Sequence, residues 1–448
     1  MDGGLAGHVP HSASARARVR VLVPLLVLVV LMGAVALPAP VAAANSLGLR
    51  ATYDVSATLS FADRTLAVRS SASVTNGTAE AVDALAFNLL PSKIGGYSLH
   101  EVLVADQPAT ATKSGQTLTV NLSAPLEPEA SVSVVIAYSA RFNTNAIDKN
   151  WMFAKLNGVV TAYRWIPWLS RAVKFNRPNF GDPFVTGTSP EVRVAITTDR
   201  ALVFATTGRR VAQEGLTQTF VAERVRDFNF SASHKYKFAK GKVNGIKVHV
   251  YHVSLPASTM VNWAKRSLAH FSQRVGRYPY ERFVVAQTEG GTGMESPGLI
   301  WIPRSTRKSN LGYLIAHETA HQWFYAVVGS DQAAEPWADE APADFMARDL
   351  LVNRRKSKCA KTTLDRTLYD YSRECYYEAI YIQGGNYLHS YRQRVGAEAF
   401  WSGLRAYYDE YSFRLGGTRQ LLDTLDGAAG AVQAGQHGER FPRFFRVE

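Results

Sequence analysis

Cysteine is nearly absent: the 448 residues hold two, Cys359 and Cys375. So few exclude a fold stapled by several disulfides and a cysteine-rich metal cluster. Neither lies near the amino terminus, so no lipid-modified cysteine anchor is expected. Long apolar runs are as scarce. The one present, Val21 to Leu37, follows Arg16, Arg18 and Arg20 and leads into the small residues of PAPVAAANS. That is the pattern of a secretory signal, assigned to residues 1–44. No later run is long enough to cross a bilayer, so no integral span is expected once the signal is removed. In an exported chain the two cysteines are expected to pair as a disulfide. Acidic residues are outnumbered, 37 against 50 Lys and Arg, for a formal charge of +13. Residues 1–44 hold three Arg and Asp2, which contribute +2 and leave +11 on the rest. The basic residues are scattered and no nucleic-acid motif occurs, which excludes nucleic acid as the expected partner. An anionic cell envelope suits this charge better, and a secreted or surface-associated location is expected.

What the chain does have is apolar content, 46% hydrophobic and 11% aromatic, enough to bury a large core across two or three domains. From about Leu49 to Phe238 the pattern has a period of two. In YDVSATLSF, Tyr53, Val55, Ala57, Leu59 and Phe61 alternate with polar or small residues, as in a half-buried strand. Asn76-Gly77 and Asn157-Gly158 are turn signals between further runs of this kind. Beyond KGKVNG the spacing becomes helical, with Met260, Ala264, Leu268, Phe271 and Val275 on one stripe, and from Leu311 the chain reads as mostly helical. The expected fold is α+β and multidomain: an antiparallel β-sheet or sandwich domain over 45–240, then an α-rich domain over 241–448. No flexible linker marks the join, so close packing with a cleft between the two is expected.

The most informative stretch is LIAHETAHQWF. On a helix, His317 and His321 project from one face, close enough to share a metal ion, while Glu318 reaches the open coordination position. Zinc suits such a site, with three protein ligands and a water. A third ligand is available in EPWADEAPADFMARDL, where eighteen residues intervene between His321 and Glu340 on a helix opened by Pro336. Asp344 lies one turn further and is expected to accept the second ring N–H of a ligating histidine.

These motifs resemble the aminopeptidase N family of gluzincin zinc peptidases, related to the leukotriene hydrolase. The spacing from His321 to Glu340 is the family's. GTGMESPGLIWI is similar to its Gly-x-Met-Glu-Asn strand, and AIYIQGGNYL resembles its Tyr-x-Lys-Gly segment. The resemblance implies a β-rich domain leading a thermolysin-like one, and one zinc per chain held by His317, His321 and Glu340. It implies Glu318 as the base and Tyr381 as stabiliser of the oxyanion. It implies Glu295, with Gly293 and Met294, as the site for the free α-amine of a peptide substrate. The chain departs from the family in several places. Thr292 and Ser296 replace a glycine and an asparagine, Gln383 replaces a lysine, and Trp337-Ala338-Asp339-Glu340-Ala341 stands for Trp-Leu-Asn-Glu-Gly. The family's large helical C-terminal domain is not in the sequence, so a more open cleft is expected. The resulting expectation is a secreted zinc aminopeptidase. A thermolysin-like endopeptidase is the nearest alternative, and a secreted binding protein with a vestigial metal site is one of another class.

Overall fold

In the computed structural model the described residues are 44–176, 182–359, 363–430 and 445. The signal assignment falls on residues outside this set, apart from Ala44. The described residues all fall in one compact unit.

The alternating stretches form strands with the expected faces. In Arg50–Ser60 every second residue, from Ala51 to Leu59, is buried. This strand sits inside an eight-stranded sheet, between Ser189–Thr198 and Thr65–Thr75. Here the expectation of an antiparallel sheet needs one correction. Arg50–Ser60 runs parallel to Ser189–Thr198, with Tyr53 opposite Val192, while the sheet's other pairings are antiparallel. The chain between those strands supplies most of the remaining strands, serving as the long crossover that parallel neighbours require. Two four-stranded sheets complete the β-rich part.

The second part is built on a five-stranded sheet in the order Lys237–Val243, Ile246–His252, Arg282–Thr288, Leu299–Pro303, Met294–Ser296. The expected boundary at 240/241 falls within its first strand. Helix Ala257–Arg274 crosses between parallel strands, and its apolar stripe packs on Val248, Val250, Phe283 and Val285. Helices Lys308–Ala320 and Trp337–Leu351 lie against each other beneath the sheet edge that carries Glu295. The second half of the first of them is buried all round, its polar residues His317, Glu318 and Thr319 included.

The two parts share a core. Trp151, Tyr163 and Phe184 from the β-rich part pack with Val284, Ala286, Met294 and Trp301 of the five-stranded sheet. A buried polar network crosses the same boundary. Ser296 Oγ donates to Asp227 Oδ1 at 2.9 Å and accepts from Asn229 Nδ2 at 2.9 Å. Tyr325 donates to Asp227 and receives Arg164 Nη2 at 2.8 Å. Tyr325 holds φ at 149°, a costly backbone for a residue with a side chain, and this network keeps it there.

Candidate metal centre and active site

His317 lies in the last turn of helix Lys308–Ala320, and His321 is the residue that ends it. Glu340 is in the first turn of Trp337–Leu351. His317 Nε2, His321 Nε2 and Glu340 Oε2 lie 3.2–3.3 Å from one another. A tetrahedral zinc with bonds near 2.0–2.1 Å sets its ligand atoms about 3.3–3.4 Å apart. Three mutually facing lone-pair atoms, all buried, therefore fit zinc by donor type and by spacing. Among the described residues, Glu340 Oε2 has no hydrogen-bond donor besides these rings.

A second set, Glu295, Glu318 and His321, has its atoms within 4.8 Å of one another. It overlaps the first, but two of its members are carboxyls that burial pushes toward neutrality. Burial raises Glu318 to about 7, against the pull of His317 and His321 and with the help of Glu340 and Asp182. Glu295 is raised well above the usual range, by burial first and then by Asp182. Burial also works against the charge on Glu340, yet His321 and His317 outweigh it and hold that carboxyl low. Neighbouring carboxyls driven apart in this way suit different tasks, a ligand in Glu340 and a proton carrier in Glu318.

Glycine at 293 is a steric requirement, since a Cβ there would fall on Glu318 Oε1. Glu295 accepts Gln332 Nε2 at 3.0 Å. Gln322, next to His321, binds the same strand by donating to Ser296 O at 2.9 Å and accepting Gly298 N–H at 2.8 Å. Met294 was expected to contact substrate, but its side chain leaves from the other face of the strand into the shared core.

Tyr381 lies in a π-helical turn, Glu378–Gln383, between Arg373–Tyr377 and Gly384–Val395. Its hydroxyl donates to Glu340 Oε1, and its ring stacks on His317 with centroids 5.4 Å apart. Wider turns of this kind recur at functional sites because they re-aim one side chain.

Asp344 is a further expectation to be corrected. It accepts Arg348 Nε at 2.8 Å and the Tyr313 hydroxyl at 2.5 Å, and no histidine. The carboxylate that receives a ring N–H is Asp339, 2.8 Å from His321 Nδ1. Gln332 Nε2 donates to Asp339 at 2.6 Å, so one amide bridges the carboxylates of Asp339 and Glu295. Asp339 carried a signal, as a departure from the family motif beside Glu340. Gln332 carried none. Asp182, from the β-rich part, is 3.8 Å from Lys149 Nζ, and its charge reaches Glu295 and Glu318. Cys359 and Cys375 are joined in a disulfide.

No family model matches the sequence, and no curated protein matches it. Solved structures do. An M1 zinc metallopeptidase from Deinococcus radiodurans aligns with a TM-score of 0.67 at 19% identity, covering 87% of this chain and 93% of its own. The chain has the M1 zinc metallopeptidase fold. A variant of a two-domain M1 enzyme bound to L-arginine aligns at 0.68 and 19% identity, covering 90% and 96%. A Deinococcus radiodurans variant bound to the substrate Tyr-Ser-Ala aligns at 0.65 and 18% identity, covering 88% and 93%. The β-rich part followed by the helical part is the order that the sequence led us to expect.

Proposed function

We propose that this protein is a zinc-dependent aminopeptidase acting outside the cytoplasm. The observation that carries the reading is the meeting of His317, His321 and Glu340 at zinc spacing beside Glu318 and Glu295 in one buried centre. M1 enzymes of the same fold bind a free amino acid and a tripeptide, which agrees with it. Zinc held by the three ligands would supply Lewis acidity and lower the pKa of water toward 7.

The chain's own residues supply the rest. Glu318 takes a proton from the attacking water and returns it to the leaving amine. The Tyr381 hydroxyl donates a hydrogen bond to the developing oxyanion. Glu295, held by Gln332, receives the substrate's α-ammonium and thereby sets the first peptide bond over the metal. Asp339 fixes the orientation of His321.

The test compares fluorogenic peptides with free and acetylated amino termini, with zinc measured on the same preparation. One zinc per chain and strong preference for the free amine are expected. Glu295→Ala should cost free-amine substrates about tenfold to a hundredfold, the loss of a charge-assisted hydrogen bond. Equal cleavage of both substrates, unaffected by Glu295→Ala, would replace this reading with the endopeptidase. Zinc binding without hydrolysis of any peptide would leave the vestigial binding protein.

A further inference from the structure

The face of the five-stranded sheet turned away from helix Ala257–Arg274 is only partly covered. Val284 and Ala286 lie under the shared core, but the two strands beyond them, Ile246–His252 and Lys237–Val243, extend past that cover. Between this overhang and the strands Val203–Thr206, Arg209–Glu214 and Thr217–Val225 lies a half-open groove of about 690 Å³, within the size range of small-molecule sites.

Its residues are sorted along its length. Strand register sets Phe238 beside Tyr251 at one end, His249 in the middle, and Lys247 beside Arg282 at the other. From Tyr251 to Lys247 is about 14 Å at strand rise. The apolar end is open: Phe238 is 50% exposed and stands 5.3 Å from the Tyr251 ring, and Leu202 and Val203 line the same groove. Four cations line the groove, Arg209, Arg210, Lys247 and Arg282, against one carboxylate, Glu281, which pairs with Lys247. The other three form no ion pair among the described residues, and Glu281 acts on Arg209 and Arg282 only at longer range. Arg210 is bonded only to the amides of Gln213 and Gln218, Arg282 to the carbonyls of Thr206 and Gly208, and Arg209 to no carboxylate among the described residues.

We propose that the groove binds an amphiphilic anion. Such a ligand is a monomeric single-chain lipid, with its alkyl chain along Phe238 and Tyr251 and its phosphate or carboxylate head between Arg209, Arg210 and Arg282. Guanidinium groups suit oxyanions because their planar forks bind two oxygens together. A bilayer surface does not suit the site, because a flat sheet of headgroups cannot reach the floor of a concave groove.

His249 reports on occupancy. Burial, reinforced by Arg282, Lys247 and Lys240 and eased by Glu281, lowers its pKa to about 4. Its Nδ1 is buried without a hydrogen-bond partner. A bound anion offsets those cations, so the His249 titration moves to higher pH.

Decyl phosphate below its micelle concentration is the probe. With the full chain it should bind at least about tenfold more tightly than inorganic phosphate or decanol, raise the His249 titration followed by NMR, and weaken as salt rises. The double variant R209S/R210S should lose about tenfold to a hundredfold in affinity. Phe238→Ser should lose several-fold, with both variants checked for an unchanged melting transition. Four results would overturn the proposal: decanol binding as well as decyl phosphate, full affinity in the folded double variant, binding to phosphatidylglycerol vesicles but not to the monomer, or tighter binding of an acidic peptide.

Discussion

The metal centre and the basic groove put charge to opposite use. At the centre Glu318 and Glu295 are 4% and 3% exposed, and each buried carboxyl there is matched to a histidine, an amide or a second carboxyl. In the groove Lys247 pairs with Glu281, but Arg210 and Arg282 are bonded to neutral amides and carbonyls, and their charge is left for something that is not part of the fold. Burial makes an unpaired charge expensive, so charge collected in a core must be answered locally, as His317 and His321 answer Glu340. Charge on a half-open surface tolerates an unmet partner. Substitutions at the centre should therefore be felt strongly and those in the groove weakly, except by a ligand.

The largest effect is expected from Glu318→Gln. Zinc content should stay near one per chain while turnover falls about 10²- to 10⁴-fold, because a proton carrier is removed and a ligand is not. An active Glu318→Gln protein would sink the mechanism. Tyr381→Phe comes next, with kcat down about 10²- to 10³-fold and KM little changed; a change confined to KM would instead make Tyr381 a binding residue. Opening the disulfide with Cys359→Ser and Cys375→Ser together should lower unfolding free energy by about 3 kcal/mol, given a closed loop of 16 residues, as measured in denaturant. Asp339→Ala should weaken zinc about 10- to 100-fold in competition with a chelator. Asp339→Asn should keep most of the affinity, since its amide oxygen can still accept from His321 Nδ1. The smallest effect belongs to the groove: Arg209→Ser should change stability by no more than about 0.5 kcal/mol. A large loss there would erase the contrast.

How much of this was legible depended on whether the cause was local. Alternation in Arg50–Ser60 is a property of eleven consecutive residues, and its buried face follows from them. The pairing with Ser189–Thr198 depends on residues far away, and nothing in either segment marks it as parallel. His317 and His321 share a helix face, and the spacing to Glu340 is a feature of the sequence itself. Helical spacing assigns Asp344 to a face but does not say how far its side chain reaches, and Arg348 and Tyr313 claim it first. Gln332 and Asp182 reach the site from loops, which no periodicity describes. Tyr381 was found by its motif, while the π-turn that aims it was hidden, because one extra residue per turn leaves little trace in composition.

The parallel pairing also bears on when the fold can close. Tyr53 meets Val192 only after 139 further residues have emerged, so the first strand waits beside Thr65–Thr75 with its other edge unpaired. Contacts of such long range form late, because loop closure must precede any gain from them. Late closure prolongs the state in which a chain can still be threaded through a membrane, which agrees with the action outside the cytoplasm proposed above. Pulse-labelled hydrogen exchange during refolding should find the amides facing Ser189–Thr198 protected after those facing Thr65–Thr75. Simultaneous protection of both edges would show that the sheet closes in one step.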